Sequence, residues 1–136
     1  MDIQIINRGF MIIKSKIRNM ELEAIKKNNL DISDVQWNYL VWVVENNNMK
    51  MGELCKMLGV QKGTLSNNVK YLLSKKLITK SNNGRLIRIE PTKKGNKYIE
   101  IHNKTHTLIK KEMNKILSDN EIDILTNIGI KLREKL

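Results

Sequence analysis

The stretch from Met51 to Lys97 constrains the fold of this chain more than any other part of the sequence. It opens with a short amphipathic run, MGELCKML, that ends at Gly59. Because glycine has no Cβ, it favours the left-handed backbone conformation that terminates a helix. A second run, Gln61 to Lys75, begins two residues later. The spacing therefore predicts two helices joined by a short glycine turn, a helix-turn-helix.

Two runs with β-strand character follow the second helix of this motif. Leu77 to Lys80 and Arg85 to Ile89 flank the turn sequence Asn82-Asn83-Gly84, which predicts a β-hairpin. Met49 to Met51 is expected to be a short extended segment that pairs with the hairpin. Helix, turn, helix and hairpin, in this order, predict a winged helix-turn-helix.

The second helix of the motif separates into two faces when it is phased at about 100° per residue. Leu65, Val69 and Leu72 share the face that is expected to point inward. The opposite face has neither a carboxylate nor an aliphatic side chain, and its polar groups can donate to base edges and phosphates. The start of the helix favours phosphate through the macrodipole. The candidate DNA-binding residues of this helix are Gln61, Lys62, Thr64, Ser66, Asn67, Lys70 and Tyr71.

The positive charge of the chain is concentrated in the same part of the sequence. Residues 61–97 hold ten Lys and Arg side chains and one acid, Glu90, and so carry +9 of the formal net charge of +11. A concentrated basic segment is typical of nucleic-acid-binding proteins, whereas a generally Lys-rich surface would spread the charge. Arg85 and Arg88, on the hairpin, are candidate contacts to the DNA backbone or minor groove.

Length and composition favour one small domain with appended helices. A chain of 136 residues with 40% hydrophobic residues can fill one core. Its single cysteine, Cys55, excludes an intrachain disulfide, and apolar neighbours predict a buried structural side chain. Neither a signal peptide nor a membrane-spanning apolar stretch is evident, so we expect no membrane association and a cytoplasmic location.

The segments on either side of the motif predict amphipathic helices. Residues 3–25 and 93–117 repeat apolar side chains every three or four positions. Capping boxes at Ser33–Gln36 and Ser118–Glu121 mark the starts of a second helix and of a C-terminal helix. The first and last helices carry more apolar surface than one small domain can cover, which indicates an interface with another copy of the chain.

The expected fold is mainly α with a small β-hairpin wing (α+β), a winged helix-turn-helix flanked by dimerisation helices. We expect residues 33–97 to form the winged helix-turn-helix DNA-binding domain. Residues 1–30 and 98–136 are expected to form the dimerisation helices.

A pair of histidines, His102 and His106, lies beside the apolar stripe of the long helix after the hairpin. Side chains four residues apart leave the same side of a helix, so such a pair can bind one metal ion. A tetrahedral zinc site needs one or two further ligands, and the sequence fixes none of them beside the pair. Two histidines at a core or subunit boundary are the alternative interpretation. We therefore expect no cofactor, with zinc left open.

The order of the elements resembles that of the MarR family of bacterial transcription regulators over nearly the whole chain. The wing is shorter than in that family, which usually carries an Asp-x-Arg stretch before the returning strand. Pro91-Thr92-Lys93-Lys94-Gly95 is similar to the family's Leu-Thr-x-x-Gly. The other residues that carry the resemblance are Gly52-Glu53-Leu54-Cys55, Leu58-Gly59-Val60, Thr64-Leu65-Ser66, Leu72 and Lys76-Leu77-Ile78.

The resemblance implies a homodimer that binds double-stranded DNA, with one recognition helix of each subunit in the major groove. Two-fold symmetry implies a pseudo-palindromic operator with half-sites about one helical turn apart. A repressor released by a small-molecule effector is the expected mode of action. His102 and His106 are similar in placement to histidines of the family's zinc-sensing branch. That branch adds carboxylate and thiol ligands from its first helix and the following loop. This chain has no Cys or His there, and its nearby carboxylates are Glu21 and Glu23.

Two other functions have to be compared with DNA binding. A winged-helix interaction module that docks an acidic protein would share the basic charge, and it remains an alternative. An enzyme is disfavoured, because the sequence has no Gly-rich phosphate loop, no Ser or Cys nucleophile paired with a base, and no paired carboxylates in a plausible pocket.

Overall fold

The computed structural model describes residues 2–136, and within them it contains six helices and one small antiparallel sheet. This confirms the expectation of a mainly α fold with a β wing. No helix of this part of the chain is both long enough and apolar enough to cross a membrane. The elements are α1 (Ile3–Lys27), α2 (Asp34–Glu45), β1 (Met49–Lys50), α3 (Met51–Leu58), α4 (Lys62–Ser74), β2 (Ile78–Asn83), β3 (Leu86–Pro91), α5 (Lys93–Met113) and α6 (Asp119–Lys135).

The core lies between α2, the helix-turn-helix formed by α3 and α4, and the wing formed by β2 and β3. Leu65, Val69 and Leu72 of α4 are buried, which confirms the phasing of that helix. Trp37 of α2 is fully buried, and its indole N–H donates to the Tyr98 carbonyl at 3.0 Å. Because Tyr98 lies in α5, this bond attaches α5 to the core. The other fully buried large side chains are Leu40, Val43, Leu54, Leu77 and Ile89.

Side-chain caps fix the starts of the helices outside the helix-turn-helix. The Ser118 hydroxyl accepts from the Glu121 amide, and the Glu121 carboxylate accepts from the Ser118 amide, so the predicted capping box of α6 is confirmed. At α2 the Ser33 hydroxyl accepts from the Gln36 amide, but the Gln36 side chain accepts from that same hydroxyl. The predicted box at Ser33 therefore forms only one of its two backbone bonds.

The wing is a tighter hairpin than the sequence predicted. The sheet has the order β1-β3-β2, and β1 pairs with Leu86 and Ile87 as expected for the short extended segment. Asn82 and Asn83 were predicted to lie in the turn, but both continue β2, and Asn83 pairs with Leu86. Only Gly84 and Arg85 are left to make the turn. Gly84 has a φ of +64°, a conformation that suits two-residue hairpin loops because it matches the strand twist.

The long helix after the wing is shorter than predicted. α5 ends at Met113 and not near Leu117, and the amides of Ile116 and Leu117 both donate to the Met113 carbonyl in a tight turn. Because Ser118 caps α6 immediately afterwards, no room remains for another turn of α5. Ile116, which falls within the apolar repeat of residues 93–117, is 84% exposed.

The start of α5 packs closely against the turn between α4 and β2. The Thr92 amide donates to the Leu77 carbonyl at 3.0 Å, and the Thr92 hydroxyl donates to the Lys76 carbonyl at 2.6 Å. Gly95 lies against the same Leu77 carbonyl, and a Cβ at Gly95 would overlap its oxygen. Backbone therefore touches backbone at this junction. The expected domain boundary at residues 97 and 98 falls inside α5.

Candidate nucleic-acid interface

The outer face of α4 carries most of the side chains that the sequence predicted for DNA binding. Its core-facing residues fix the rotation of the helix, so the polar side chains of the opposite face are directed to solvent. Ser66 is half-buried at the edge of this face. Tyr71 departs from the prediction, because it is half-buried against the core, with the Lys75 ammonium 5.6 Å from its ring centre. The exposed predicted residues are Gln61, Lys62, Thr64, Asn67 and Lys70.

Two adjacent asparagines of α4 have different roles. The Asn68 side-chain amide donates to the Thr64 carbonyl at 2.9 Å, within the same helix. Asn67 is exposed on the outer face. Asn68 is thus held against its own helix, whereas the Asn67 side chain is exposed to solvent.

The positive charge of Lys75, at the C-terminal end of α4, is neutralised by an ion pair. The Lys75 ammonium lies 2.7 Å from the Asp31 carboxylate. The hydrogen bond to Asp31 raises the pKa of Lys75, and the same bond lowers the pKa of Asp31. The free positive charge of α4 therefore lies on Lys62 and Lys70, nearer its N-terminus.

The wing presents its two candidate arginines differently. Arg85 is exposed in the two-residue turn at the tip. Arg88 lies within β3 and forms an ion pair with Glu90, with a guanidinium nitrogen 2.7 Å from the carboxylate. Arg85 can therefore approach DNA without first breaking an ion pair of this kind, whereas Arg88 has to exchange the Glu90 carboxylate for a DNA phosphate.

The helix-turn-helix also differs from the other helices in its N-termini. The N-cap residues of α3 and α4 are Lys50 and Gln61, and neither forms a side-chain cap hydrogen bond. The first amides of a helix have no intrahelical partner, and together with the macrodipole they attract phosphate groups. This arrangement suits a surface that lies against a DNA backbone.

A second polar cluster connects three helices away from this face. The Glu21 carboxylate of α1 lies 3.1 Å from His106 Nε2 and 3.5 Å from His102 Nε2, both on α5. Asn38 of α2 completes the cluster, because its Oδ1 lies 2.9 Å from His102 Nε2. The ligand atoms of Glu21 and the two histidines lie within 4.8 Å of one another. The other carboxylate named from the sequence, Glu23, is exposed.

Hydrogen bonds keep the Glu21 carboxylate ionised although its side chain is 4% exposed. Burial raises the pKa of this group, but hydrogen bonds from His102, His106 and Asn38 together outweigh burial and lower the pKa to about 2. His102 Nδ1 is buried without a partner among the described residues.

This network predicts an acid-dependent contribution to stability. Because the pKa of Glu21 is lower in the folded chain than the usual 4.5, the contribution is present above pH 4.5 and is lost as the pH falls toward 2. Its upper limit is about 3 kcal/mol. We expect Glu21→Gln to be less stable than the wild type at pH 7 and to lose less stability between pH 4.5 and 2. Urea denaturation at a series of pH values measures both effects, and parallel stability curves would contradict the assignment.

Comparison with known proteins finds a family model for the central part of the chain and similar structures for nearly all of it. A model of the MarR family matches residues 30–85. No curated protein sequence matches the chain. The transcriptional regulator SlyA has a similar structure, with a TM-score of 0.75 and 22% identity over 95% of this chain and 92% of that chain.

Several of the similar structures contain DNA. Streptococcus pneumoniae FabT in complex with DNA gives a TM-score of 0.74 at 21% identity, over 96% of this chain and 94% of that chain. The S. aureus MepR–DNA complex gives 0.73 at 20% identity, over 96% and 97%. At such identities the likeness shows a shared fold.

The family match and the fold agree with each other. The matched residues 30–85 begin just before α2 and end at the wing turn, so they include the whole helix-turn-helix. The structural likeness extends over nearly the entire chain, including the helices on both sides. Residues 30–85 therefore match the MarR family, and nearly the whole chain has the winged helix-turn-helix fold of the similar structures.

Proposed function

We propose that this chain acts as a homodimeric repressor on a pseudo-palindromic operator and is released from it by a small ligand. The observation that carries the proposal is the outer face of α4, which is exposed, free of acids and followed directly by the basic wing. Donor groups on such a face suit base edges, and the flanking lysines suit phosphates. The related FabT and MepR structures contain DNA, which supports the same ligand class.

Exposed apolar side chains on the first and last helices support the homodimer. α6 has no buried residue within the described chain, although it is amphipathic. Exposed apolar patches of this kind mark protein interfaces in soluble proteins. We assign residues 1–30 and 98–136 to dimerisation and residues 33–97 to DNA binding. The exposed apolar side chains include Ile3, Ile5, Phe10, Met11 and Ile12 of α1, and Ile124, Ile128, Ile130 and Leu132 of α6.

Repression is expected from the length of DNA that such a dimer covers. Two recognition helices that enter successive major grooves on one face of the duplex cover about two helical turns. A protein bound in this way excludes polymerase from a promoter that overlaps its site, without any further contact.

A cleft between α1 and the DNA-binding lobe supports release by a ligand. It has a volume of about 560 Å³, which is within the size range of small-molecule sites. Its lining combines aromatic rings of Phe10, Tyr39 and Trp42 with the guanidinium of Arg18. Because the lining comes from α1, α2 and the α3–α4 turn, a bound molecule would favour one position of the lobe relative to α1.

Selection from random DNA duplexes tests the proposal. We expect enrichment of a two-fold symmetric site that binds two chains, as measured by sedimentation of the complex. Ile12→Glu, which places a charge in the apolar patch of α1, should yield monomers that bind the same duplex much more weakly. Lys110→Gln, a change to an exposed residue of α5, is the matched control. Absence of any enriched sequence would contradict DNA recognition and favour docking of an acidic protein.

The polar cluster favours a second candidate, a regulator that responds to zinc. The residues fit the metal, because two histidine Nε2 atoms and the Glu21 carboxylate converge, and Asn38 Oδ1 is nearby. Imidazole and carboxylate are ordinary zinc ligands. His102, His106 and Glu21 would hold the ion, and a bound cation there would strengthen the connection between α1 and α5. The ionised Glu21 carboxylate is already in the state that a metal requires.

Metal retention after dialysis tests this candidate. We expect the wild-type chain to retain about one zinc ion per chain and to change its DNA affinity when zinc is added. His106→Gln should retain none, because it removes a ligand that is 43% exposed and so can be changed with little effect on the core. Glu23→Gln, an exposed acid of α1 outside the cluster, serves as control. Wild-type protein without retained zinc and with unchanged affinity would exclude the candidate.

A further inference from the structure

The turn of the wing contains the most reactive asparagine of the sequence. Asn83 is the one asparagine in the chain that a glycine follows. Glycine has no side chain to hinder its backbone nitrogen, so this nitrogen can approach the side-chain carbonyl carbon of the preceding asparagine. Asparagine therefore loses its side-chain nitrogen more readily before glycine than before any other residue. The dipeptide that favours a hairpin turn is thus also a site of possible chemical modification.

The fold leaves this site open to solvent. Asn83 and Gly84 are both exposed. Asn83 forms the last pair of β2, with Leu86, and Gly84 lies beyond that pair in the two-residue turn. A Cβ added to Gly84 would have no neighbour within 4 Å among residues 2–136. Space is therefore available for the ring that the modification forms.

Other asparagine side chains of the chain are held within their own helices. The side-chain amides of Asn28, Asn46 and Asn68 each donate to the carbonyl four residues earlier, at 2.8, 2.8 and 2.9 Å. Such a bond holds the side chain away from the backbone nitrogen that follows it. Asn83 lies instead at the end of a strand, where the opening of one terminal pair costs little free energy and frees its backbone.

The modification needs no reagent other than water. The Gly84 backbone nitrogen loses its proton and attacks the side-chain carbonyl carbon of Asn83, and the side-chain nitrogen leaves as ammonia. Water then opens the resulting five-membered imide at one of its two carbonyls. One opening gives aspartate, and the other gives isoaspartate, in which the main chain runs through the former side chain. In both products a carboxylate replaces a neutral amide.

A carboxylate at position 83 would lie two residues from Arg85, at the tip of the wing. Within β3 the same separation joins Arg88 to Glu90, whose charged groups lie 2.7 Å apart. The new carboxylate would offer Arg85 a partner of the same kind. Isoaspartate would also lengthen the main chain by one carbon atom and so disturb the pairing of Asn83 with Leu86. Each product therefore reduces the positive charge that the wing tip presents.

We propose that Asn83 is a site of spontaneous deamidation and that its conversion to aspartate or isoaspartate lowers the affinity of the chain for DNA. The chemical step depends on Asn83 and Gly84 alone, whereas its effect on binding rests on the proposed function. Because ammonia is lost, the asparagine is not regenerated. A chain that has aged in this way binds its operator more weakly than a newly made one.

Peptide mass mapping of the full-length protein during incubation tests the chemical step. We expect the peptide that contains Asn83 to show the mass of deamidation before any other asparagine peptide. The rate should rise with pH, because the attacking nitrogen must lose its proton. Fragmentation separates Asn83 from Asn82, which is also exposed but is followed by a residue with a side chain. Asn83→Gln is the matched control and should stay unmodified, because its longer side chain would have to form a six-membered imide. Equal rates at Asn82 and Asn83 would overturn the site.

Binding of the aged protein to the selected operator tests the effect. Deamidated wild-type chain, separated by ion exchange, and Asn83→Asp should both bind about 10- to 60-fold more weakly in 0.1 M salt, because a symmetric dimer loses the Arg85 contact twice. Asn83→Gln aged in parallel should keep its affinity, which controls for other damage. In an Arg85→Ala background, Asn83→Asp should cause little further loss.

The outcomes separate this inference from the proposed function. Full affinity of the deamidated chain would overturn the effect on binding, as would an equal loss from Asn83→Asp with and without Arg85. Absence of any sequence enriched from random duplexes would contradict the proposed function. The modification site is decided independently, because the mass measurement needs no DNA.

Discussion

Replacing Gly95 with alanine is expected to destabilise the folded chain by about 3 kcal/mol, at the upper end of the usual range for overpacking. The added Cβ would overlap the Leu77 carbonyl oxygen, which is backbone and cannot rotate away. The same oxygen accepts the Thr92 amide at 3.0 Å, so a movement that relieves the overlap strains this bond. Either α5 or the turn after α4 has to shift.

Gly52→Ala provides the control for this experiment. Gly52 lies in the first turn of α3, as Gly95 does in α5, but a Cβ there has no neighbour within 4 Å among the described residues. Alanine is the better helix former, so this change should stabilise the chain by about 0.5–1 kcal/mol. Urea denaturation at one fixed protein concentration measures both. Similar unfolding free energies for the two variants would contradict the close approach at Gly95.

The junction at Gly95 also bears on how DNA binding and dimerisation are connected. Thr92 donates to the Lys76 carbonyl, and the Lys94 ammonium donates to the Lys75 carbonyl at 3.1 Å. Both carbonyls belong to the two residues that follow α4. The N-terminus of α5 therefore holds the C-terminal end of the recognition helix, and a displacement of α5 has to displace α4 or break these bonds.

The sequence correctly predicted those parts of the fold that depend on residues close together in the chain, such as helical spacing and helix caps. The burial of Leu65, Val69 and Leu72 follows from spacing alone, and the α6 capping box follows from Ser118 and Glu121. The errors were local too. The turn was centred on Asn82-Asn83-Gly84, but cross-strand pairing of Asn83 with Leu86 outweighed the turn preference of asparagine.

Local pattern could not predict the polar cluster, because its members are distant in the sequence, and Glu21 was named only through the family resemblance. His102 and His106 were found from their helical spacing. Glu21 is 85 positions from His106, and Asn38 is 64 positions from His102. Only the packing of α1, α2 and α5 brings them together.

Tyr71 was predicted on the exposed face of α4 but is half-buried. The phase of a helix shows which side chains share a face, but it does not show that a neighbouring part of the protein covers the edge of that face.

The affinity for the selected operator is expected to fall about 10³-fold between 50 and 200 mM monovalent salt. We assign Lys62, Lys70 and Arg85 to DNA contacts, which gives about six cations per dimer. Each cation that neutralises a phosphate changes the logarithmic salt slope by about 0.9, so the expected slope is about −5. Fluorescence anisotropy of a labelled duplex over a salt series measures this slope.

Single substitutions measure how much each cation contributes to the salt slope. They also test whether two subunits bind the DNA. Lys70→Gln should make the slope shallower by about 2, because a symmetric dimer loses the contact twice. Lys110 is also exposed but lies near the far end of α5, about 25 Å along that helix from its start. Lys110→Gln should leave the slope unchanged. If the two substitutions had equal effects, the attraction would reflect net charge alone. A decrease of about 1 for Lys70→Gln would mean that one recognition helix, and not two, contacts the duplex.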